Sequence, residues 1–363
     1  MLRRVIFCSL CFVIAGAMSI ASNVLERKLP HETVAYTWDQ EGDTAHISVY
    51  LSETEKYALK ESLDQTSYQL KSWYYTLEDD LKEASIINDS DNEEARLIVN
   101  AYSASGSISA TTDHGSVTCK AYGVGGDFFL FHPMELVTGS YFSESDLMQD
   151  KVILDEDAAW SLFGSNDIIG QFIQILGVPH MVVGVIESSD GYFNDKAGND
   201  VMTIYVSHET LYNYGTYYGL ETVEFFLPNP VTDFGYGLVS DLLSGMDVEV
   251  VEHQDRFSFF GLIDVLKEIP IRSMGLSGIT LPYWENMARA YEDMLAVMLC
   301  IQMVFIVIPS VIIIIWLWGK WLGRSWRTKD VYEKLKDKAY AKSVAKSSRK
   351  RHIEENFELD DEK

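Results

Sequence analysis

An α+β fold is predicted for this chain, with a two-lobed extracytoplasmic domain held between two transmembrane helices. Three observations predict it. Apolar runs stand near both ends, at Val5 to Ala21 and Met294 to Leu322. Between them, β-rich runs of four to eight residues alternate with stretches of helical periodicity. Finally, the strand, helix, strand order from Thr222 to Glu252 complements Ala45 to Tyr102, as two halves of one lobe with Gly139 to Ile186 inserted between them.

At 363 residues with 47% apolar content, the chain is long enough to bury a sizeable core. Its net charge of -25 is unevenly spread. Nearly all the acid excess lies between Asn23 and Asp293, whereas Gly319 to His352 is basic. An acidic body lacks the cations that displace counterions from phosphates, which argues against nucleic acid as a partner. Of the cysteines Cys8, Cys11, Cys119 and Cys300, only Cys119 falls in the folded region, so no intramolecular disulfide is expected there.

Residues 1–22 read as an N-terminal transmembrane helix or signal anchor. Val5 to Ala21 would span roughly 25 Å as a helix, slightly short of a hydrocarbon core. Arg3 and Arg4 ahead of it, and the small residues Ala17, Ser19, Ala21 and Ser22 after it, also fit a cleaved signal peptide. Residues 23–281 follow as the extracytoplasmic domain. Two strands, Thr33 to Trp38 and Ala45 to Leu51, flank the turn Gln40-Glu41-Gly42-Asp43. Ser52-Glu53-Thr54-Glu55 has capping-box spacing and opens one long helix, with Leu59, Leu63, Leu70, Trp73, Leu77, Leu81 and Ala84 on its apolar face. Tyr68, Trp73, Tyr74 and Tyr75 fit core and boundary packing better than a carbohydrate platform. Asn88 to Glu94 alternates acids like a calcium loop but lacks the glycine at the sixth position and the glutamate at the twelfth, so it reads as a solvated loop.

Leu97 to Tyr102 is the next strand, and the small-residue stretch Ser103 to His114 reads as weakly structured or an edge. Gly115 to Tyr122 is a strand ending in Gly123-Val124-Gly125-Gly126, which reads as a turn, since neither the spacing nor the helix of a phosphate loop follows. Val152 to Leu154 is a strand, Asp155 to Phe163 a helix, and Phe172 to Leu176 with Met181 to Ile186 a hairpin joined by Gly177-Val178-Pro179-His180. Met202 to Val206 is a strand leading into a helix capped by Ser207. Tyr212, Tyr214, Tyr217 and Tyr218 read equally as a contact surface or as half-buried packing. Strand (Thr222 to Leu227), helix (Asp233 to Leu243), strand (Val248 to Glu252) and an amphipathic helix (Phe259 to Lys267) complete the domain. The split lobe thus covers about 31–138 and 220–256, and the inserted lobe about 139–219.

A stalk helix at 282–293 runs without a breaker into a transmembrane helix at 294–322, with Pro309 a possible kink and Gln302 its strongly polar mid-membrane residue. Trp316, Trp318 and Trp321 fit an interfacial belt, followed by Lys320, Arg324 and Arg327, so both termini are expected in the cytoplasm. The basic tail, 323–363, fits a flank lying on anionic membrane lipid, or a docking surface for a cytoplasmic ATPase.

Catalytic, cofactor-binding and metal-ligating motifs are all wanting. No Gly-Lys-Ser or Gly-Lys-Thr phosphate loop occurs, nor a G-x-S-x-G elbow or H-E-x-x-H. The histidines His31, His46, His114, His132, His180, His208, His253 and His352 are scattered singly. With no cysteine pair in the folded region either, no zinc or other metal site is expected.

The order of a set of short segments is nevertheless specific. Gly125-Gly126-Asp127-Phe128-Phe129, Gly139-Ser140-Tyr141-Phe142-Ser143-Glu144-Ser145-Asp146, Val152-Ile153-Leu154-Asp155, Ala159-Trp160-Ser161-Leu162-Phe163-Gly164, Ile169-Gly170 and Val183-Gly184-Val185-Ile186 occur in that sequence. Together they resemble the periplasmic core domain of MacB-type ABC transporter permeases, which share their membrane part with FtsX-like proteins. The resemblance implies a two-pass plasma-membrane protein without ATPase activity of its own, which couples a cytoplasmic ABC ATPase to its outer domain for export or mechanotransmission. Implied partners are that ATPase, a second permease chain or a homodimer copy, and an unidentified peptide or protein ligand. Family permeases usually carry three membrane helices after the outer domain, where one is recognised here. That departure keeps open a different class, a bitopic scaffold whose acidic domain captures a peptide or protein.

Overall fold

The structure is a computed structural model and describes residues 2–26, 34, 44–84, 98–146, 148–188, 196–254, 256–272, 278–322 and 328–360. The expected strand Thr33 to Trp38, its turn and the loop Asn88 to Glu94 lie outside them, apart from Val34.

After helix α1 (Leu2–Glu26), strand β1 (Thr44–Leu51) alternates Ala45, Ile47, Val49 and Leu51 on one face with His46, Ser48 and Tyr50 on the other. Ser52 caps the next helix by accepting from Glu55 N at 3.4 Å, as its spacing predicts. The expected single helix is two, α2 (Glu53–Lys60) and α3 (Leu63–Glu83). Ser62 turns extended and starts afresh as an N-cap for Gln65 N, and Thr66 Oγ1 ties the corner by donating to Leu59 O at 2.7 Å. A local hydroxyl thus outcompetes the helical ladder.

The small-residue stretch differs most from its sequence reading. It belongs to β2 (Val99–Thr112), a strand paired on both sides over much of its length, and its partner β3 (Gly115–Gly126) runs straight through the expected glycine turn. The glycines serve close packing instead: a Cβ at Gly123 would lie 2.8 Å from Leu211 Cβ, and one at Gly125 would enter the Tyr102 ring. Small side chains here mark covered strands, not weak ones.

Short helix α4 (Phe128–Phe131), β4 (Leu136–Gly139) and β5 (Lys151–Asp155) follow. Asp155 caps α5 (Glu156–Phe163) through Ala158 N at 2.7 Å, and Gly164 closes that helix in the left-handed region. The hairpin is β6 (Phe172–Ile175) and β7 (Val178–Ile186), joined by Leu176-Gly177 with both φ positive rather than by the expected four-residue link. Burial lifts the Asp155 carboxyl to about 6, against the backbone hydrogen bonds it accepts from Ala158 and Thr203. Then come β8 (Thr203–Ser207), α6 (His208–Tyr214) capped by Ser207, β9 (Thr216–Pro228), α7 (Phe234–Leu242), β10 (Val248–Glu252) and α8 (Phe259–Arg272). Tyr217 is buried against His208, while Tyr218 is exposed.

These strands form one sheet in the order β10-β1-β9-β2-β3-β8-β5-β7-β4, with β6 against β2 and β7. Helices α2, α3 and α7 cover one face of the β1/β9 end around Trp73, Leu77, Leu81 and Phe225. On the other end of the sheet α5 and α6 pack over Ile108, Leu154, Val182 and Leu211. A third cluster contains Tyr122, Phe128, Phe131, Tyr205, Phe226, Tyr283 and Trp284. It brings α4 and the first turn of α9 (Tyr283–Leu322) onto the opposite face. Residues 18–301 form one compact unit.

Gly139 ends β4 at φ +88°, and a Cβ there would strike the Val183 carbonyl oxygen and lie 2.8 Å from Gly184 Cα. Gly139→Ala is expected to destabilise the domain by about 2–4 kcal/mol through strain plus overpacking. Gly177→Ala, also at positive φ but facing open space, should cost only about 1 kcal/mol. Urea denaturation of the purified chain measures both.

The second unit comprises residues 1–17 and 302–363. Within it the Cys8 thiol lies 4.0 Å from the Pro309 carbonyl oxygen, and Ser310 Oγ donates to Ile306 O at 2.6 Å, beside the proline that lacks an N–H. Lys320 lies over the Trp316 ring at 4.4 Å. The expected basic tail forms helix α10 (Thr328–Asp360). Among the described residues α1 and α9 are long and apolar enough to cross a membrane.

Candidate functional site

The sequence singles out 282–322 as a stalk running into the membrane, and the root of α9 is where the fold concentrates buried chemistry. Two devices anchor it. The first is aromatic: Trp284 lies 4.5 Å from the His132 ring and 5.5 Å from Tyr122, and the Tyr283 hydroxyl meets that of Tyr205 at 3.3 Å. The parallel pair of β3 and β8 sets Tyr122 opposite Tyr205, so the first turn of α9 interlocks with the middle of the sheet.

The second device is ionic. Glu285 is fully buried and accepts both prongs of Arg256, from Nη1 at 2.7 Å and Nη2 at 2.6 Å. It also accepts from Arg289 Nε at 2.6 Å and from the Tyr50 hydroxyl at 3.1 Å. Arg256 Nε reaches Glu292, and Arg289 Nη2 reaches Glu249 on β10. Successive turns of α9 therefore carry Glu285, Arg289 and Glu292 against β1, β10 and the segment after β10. A bidentate guanidinium–carboxylate pair fixes both distance and orientation, which a lysine pair does not. A cleft of about 230 Å³ opens beside it, lined by Glu249, Arg256, Asp264, Glu285 and Arg289.

A third group continues the network under the sheet. Glu224 of β9 meets His132 Nε2 at 2.5 Å, His46 Nε2 at 3.3 Å and the donating Ser48 hydroxyl at 2.7 Å. Ser48 Oγ also meets His253 Nε2 at 2.7 Å, and His253 Nδ1 lies 3.4 Å from Arg256 Nη1. Burial by itself would raise the Glu224 carboxyl; the charge and hydrogen bonds of His132 and His46 hold it well below the usual range. A further tie grips the chain just before α9: Lys56 Nζ donates to Thr280 O at 3.4 Å and pairs with buried Glu221 at 3.6 Å.

The scattered histidines thus separate in the fold. His46, His132 and His253 come together, whereas His180 and His208 sit elsewhere, beside Tyr214 and Tyr217. Alternation along β1 places His46, Ser48 and Tyr50 on one face, and such a face normally points to solvent; here α4 packs on it through Phe131 and α9 through Glu285. Glu285 and Arg289 stand four apart, a spacing legible as an ion pair, but their partners Arg256, Glu249 and Tyr50 are distant in sequence.

Residues 32–241 match the family model described as "MacB-like periplasmic core domain". The Macrolide export ATP-binding/permease protein MacB of Haemophilus ducreyi is 34% identical over 91 residues, 24% of this chain and 13% of that protein. MacB 1/2 of Paracoccus denitrificans is 33% identical over 107 residues, 28% of this chain and 16% of that protein. The matched stretch therefore spans a small fraction of these relatives' length. The crystal structure of the periplasmic region of MacB from Actinobacillus actinomycetemcomitans superposes with a TM-score of 0.37 at 15% identity, covering 62% of this chain and 92% of that one. The extracellular domain of the noncanonic ABC-type transporter YknZ from Gram-positive bacteria gives 0.36 at 14%, covering 57% and 99%. With more than half of its length matched by the family model, the chain belongs to the MacB-like periplasmic core domain family.

Proposed function

We propose that the chain is a permease-like membrane subunit of an ABC transporter system, in which α9 carries motion between the membrane and the outer domain. The single observation behind this reading is the anchoring of α9 at its root. A helix intended only to tether a domain needs no buried bidentate clamp and no aromatic interlock, whereas one that must push or turn the sheet needs both. ATP hydrolysis would be supplied by a cytoplasmic ABC ATPase, with a second permease chain or a second copy completing the membrane part. The basic residues flanking the two spans, Arg3 and Arg4 before the first and Lys320, Arg324 and Arg327 after the second, support cytoplasmic termini and contact with anionic lipid.

Tyr291→Pro tests the coupling directly. Proline removes an i to i−4 hydrogen bond and clashes in the helix interior, at a cost of roughly 3 kcal/mol. The variant is expected to insert into membranes normally yet to lose the ATP-driven change in distance between spin labels on the outer domain and the membrane end of α9, measured with the co-purified ATPase. An unchanged response would refute transmission through this helix. The acid excess of the outer domain supports a second reading, a bitopic scaffold that captures a cationic peptide or protein. Affinity purification from membranes separates the two, since recovery of an ABC ATPase is expected only for the first.

A further inference from the structure

The cluster beneath the root of α9 has the donor set of a transition-metal site. We propose that His46, Ser48, Glu224 and His253 bind one zinc-class divalent ion, an assignment that does not rest on the transport reading. A tetrahedral ion with bonds of about 2.0–2.1 Å holds its donors roughly 3.3 Å apart. His46 Nε2 stands 3.3 Å from Glu224 Oε1 and 3.5 Å from Ser48 Oγ, while Ser48 Oγ stands 2.7 Å from both Glu224 Oε1 and His253 Nε2. The ligand atoms of His46, Glu224 and His253 all fall within 4.8 Å of one another. These separations bracket the tetrahedral edge. The two imidazoles and two oxygens are a borderline combination suited to zinc rather than to calcium or magnesium.

Charge points the same way. Glu285 and Glu292 share the buried Arg256 guanidinium and Arg289 pairs with Glu249, whereas the buried Glu224 carboxylate is met by imidazoles and the Ser48 hydroxyl. With neutral imidazoles no cation among the described residues contacts the Glu224 carboxylate. The rings of His46 and His253 are stacked, with centroids 4.1 Å apart and planes 21° from parallel. Protonating both would set like charges face to face. A divalent ion held by both neutral rings supplies positive charge to Glu224 without that repulsion, and His132 remains as a hydrogen-bond partner of Glu224 Oε2.

The ion would also act on the clamp. When Nε2 of His253 ligates a metal, its Nδ1 carries the ring proton and turns from an acceptor into a donor facing Arg256. Metal binding therefore shifts Arg256 fully onto Glu285 and Glu292.

The test uses the full chain, purified in detergent without a histidine tag and stripped with a chelator. After equilibration with zinc and removal of free metal, elemental analysis is expected to find one zinc per chain. Cobalt(II) should give the strong visible absorption of a tetrahedral site. His46→Gln combined with His253→Gln should abolish both signals, while His208→Gln, at a buried histidine outside the cluster, should leave them intact. Wild-type chain that takes up no zinc, or gives only the weak cobalt spectrum of an octahedral ion, overturns the proposal whether or not the variants fold. Full zinc uptake by the folded double variant overturns it as well.

Discussion

Replacing Glu285 with alanine is expected to destabilise the outer domain by roughly 3–5 kcal/mol, because it strips one partner from a buried charge pair. Arg256 would keep Glu292 and lose both prongs to Glu285, and Arg289 would keep Glu249. The Tyr50 hydroxyl would lose its bond to the carboxylate. Part of the desolvation penalty of the guanidinium is then uncompensated, with little solvent to relieve it, since Arg256 is 8% exposed. Tyr50→Phe provides a graded comparison: it removes the hydroxyl donor and one bond to Glu285 while the ring still fills its place, so about 1 kcal/mol is expected. Chemical denaturation of the detergent-solubilised chain measures both. A Glu285→Ala cost no larger than that of Tyr50→Phe would show that the clamp contributes no more than a surface pair.

Trp284→Ala is the second large expected effect, also about 3–5 kcal/mol, from the cavity left among Tyr122, Phe128, His132 and Tyr283. Trp284→Phe separates packing from polarity. The Trp284 Nε1 is buried and has no hydrogen-bond partner among the described residues. Phenylalanine removes that unmet donor while losing part of the ring volume, so a net cost of only about 1 kcal/mol is expected. In the coupling measurement described above, Trp284→Phe should respond like the wild type and Trp284→Ala should not.

Much of the fold was legible because local signals agreed with tertiary context. Ser52, Asp155 and Ser207 cap helices where their spacing predicts, and β1, β5, β8 and β10 fall within a residue or two of the expected runs. Failures occurred where a neighbour decides. Gly123 and Gly125 read as a turn by composition, yet they are strand residues because Leu211 and Tyr102 occupy the space a Cβ would take. The hairpin turn lies at Leu176-Gly177, and propensity misses it because leucine at positive φ is unfavourable. At the candidate site, α9 was identifiable as a stalk from its length and its polar-to-apolar change. Its ionic and imidazole partners were not, since Arg256, Glu224 and the three histidines come from separate strands and loops and only the sheet order unites them.

The register of β2 against β9 shifts twice in close succession, between Ser103 and Ala104 and again between Ser105 and Gly106. Such irregularities weaken the ladder locally and increase its twist. They lie midway along the longest strands, between the cluster packed on β1 and the cluster packed on β8. On the proposed transmission through α9, a load at Glu285 and Trp284 would meet one compliant line and would twist a single continuous sheet instead of swinging two plates about a flexible linker.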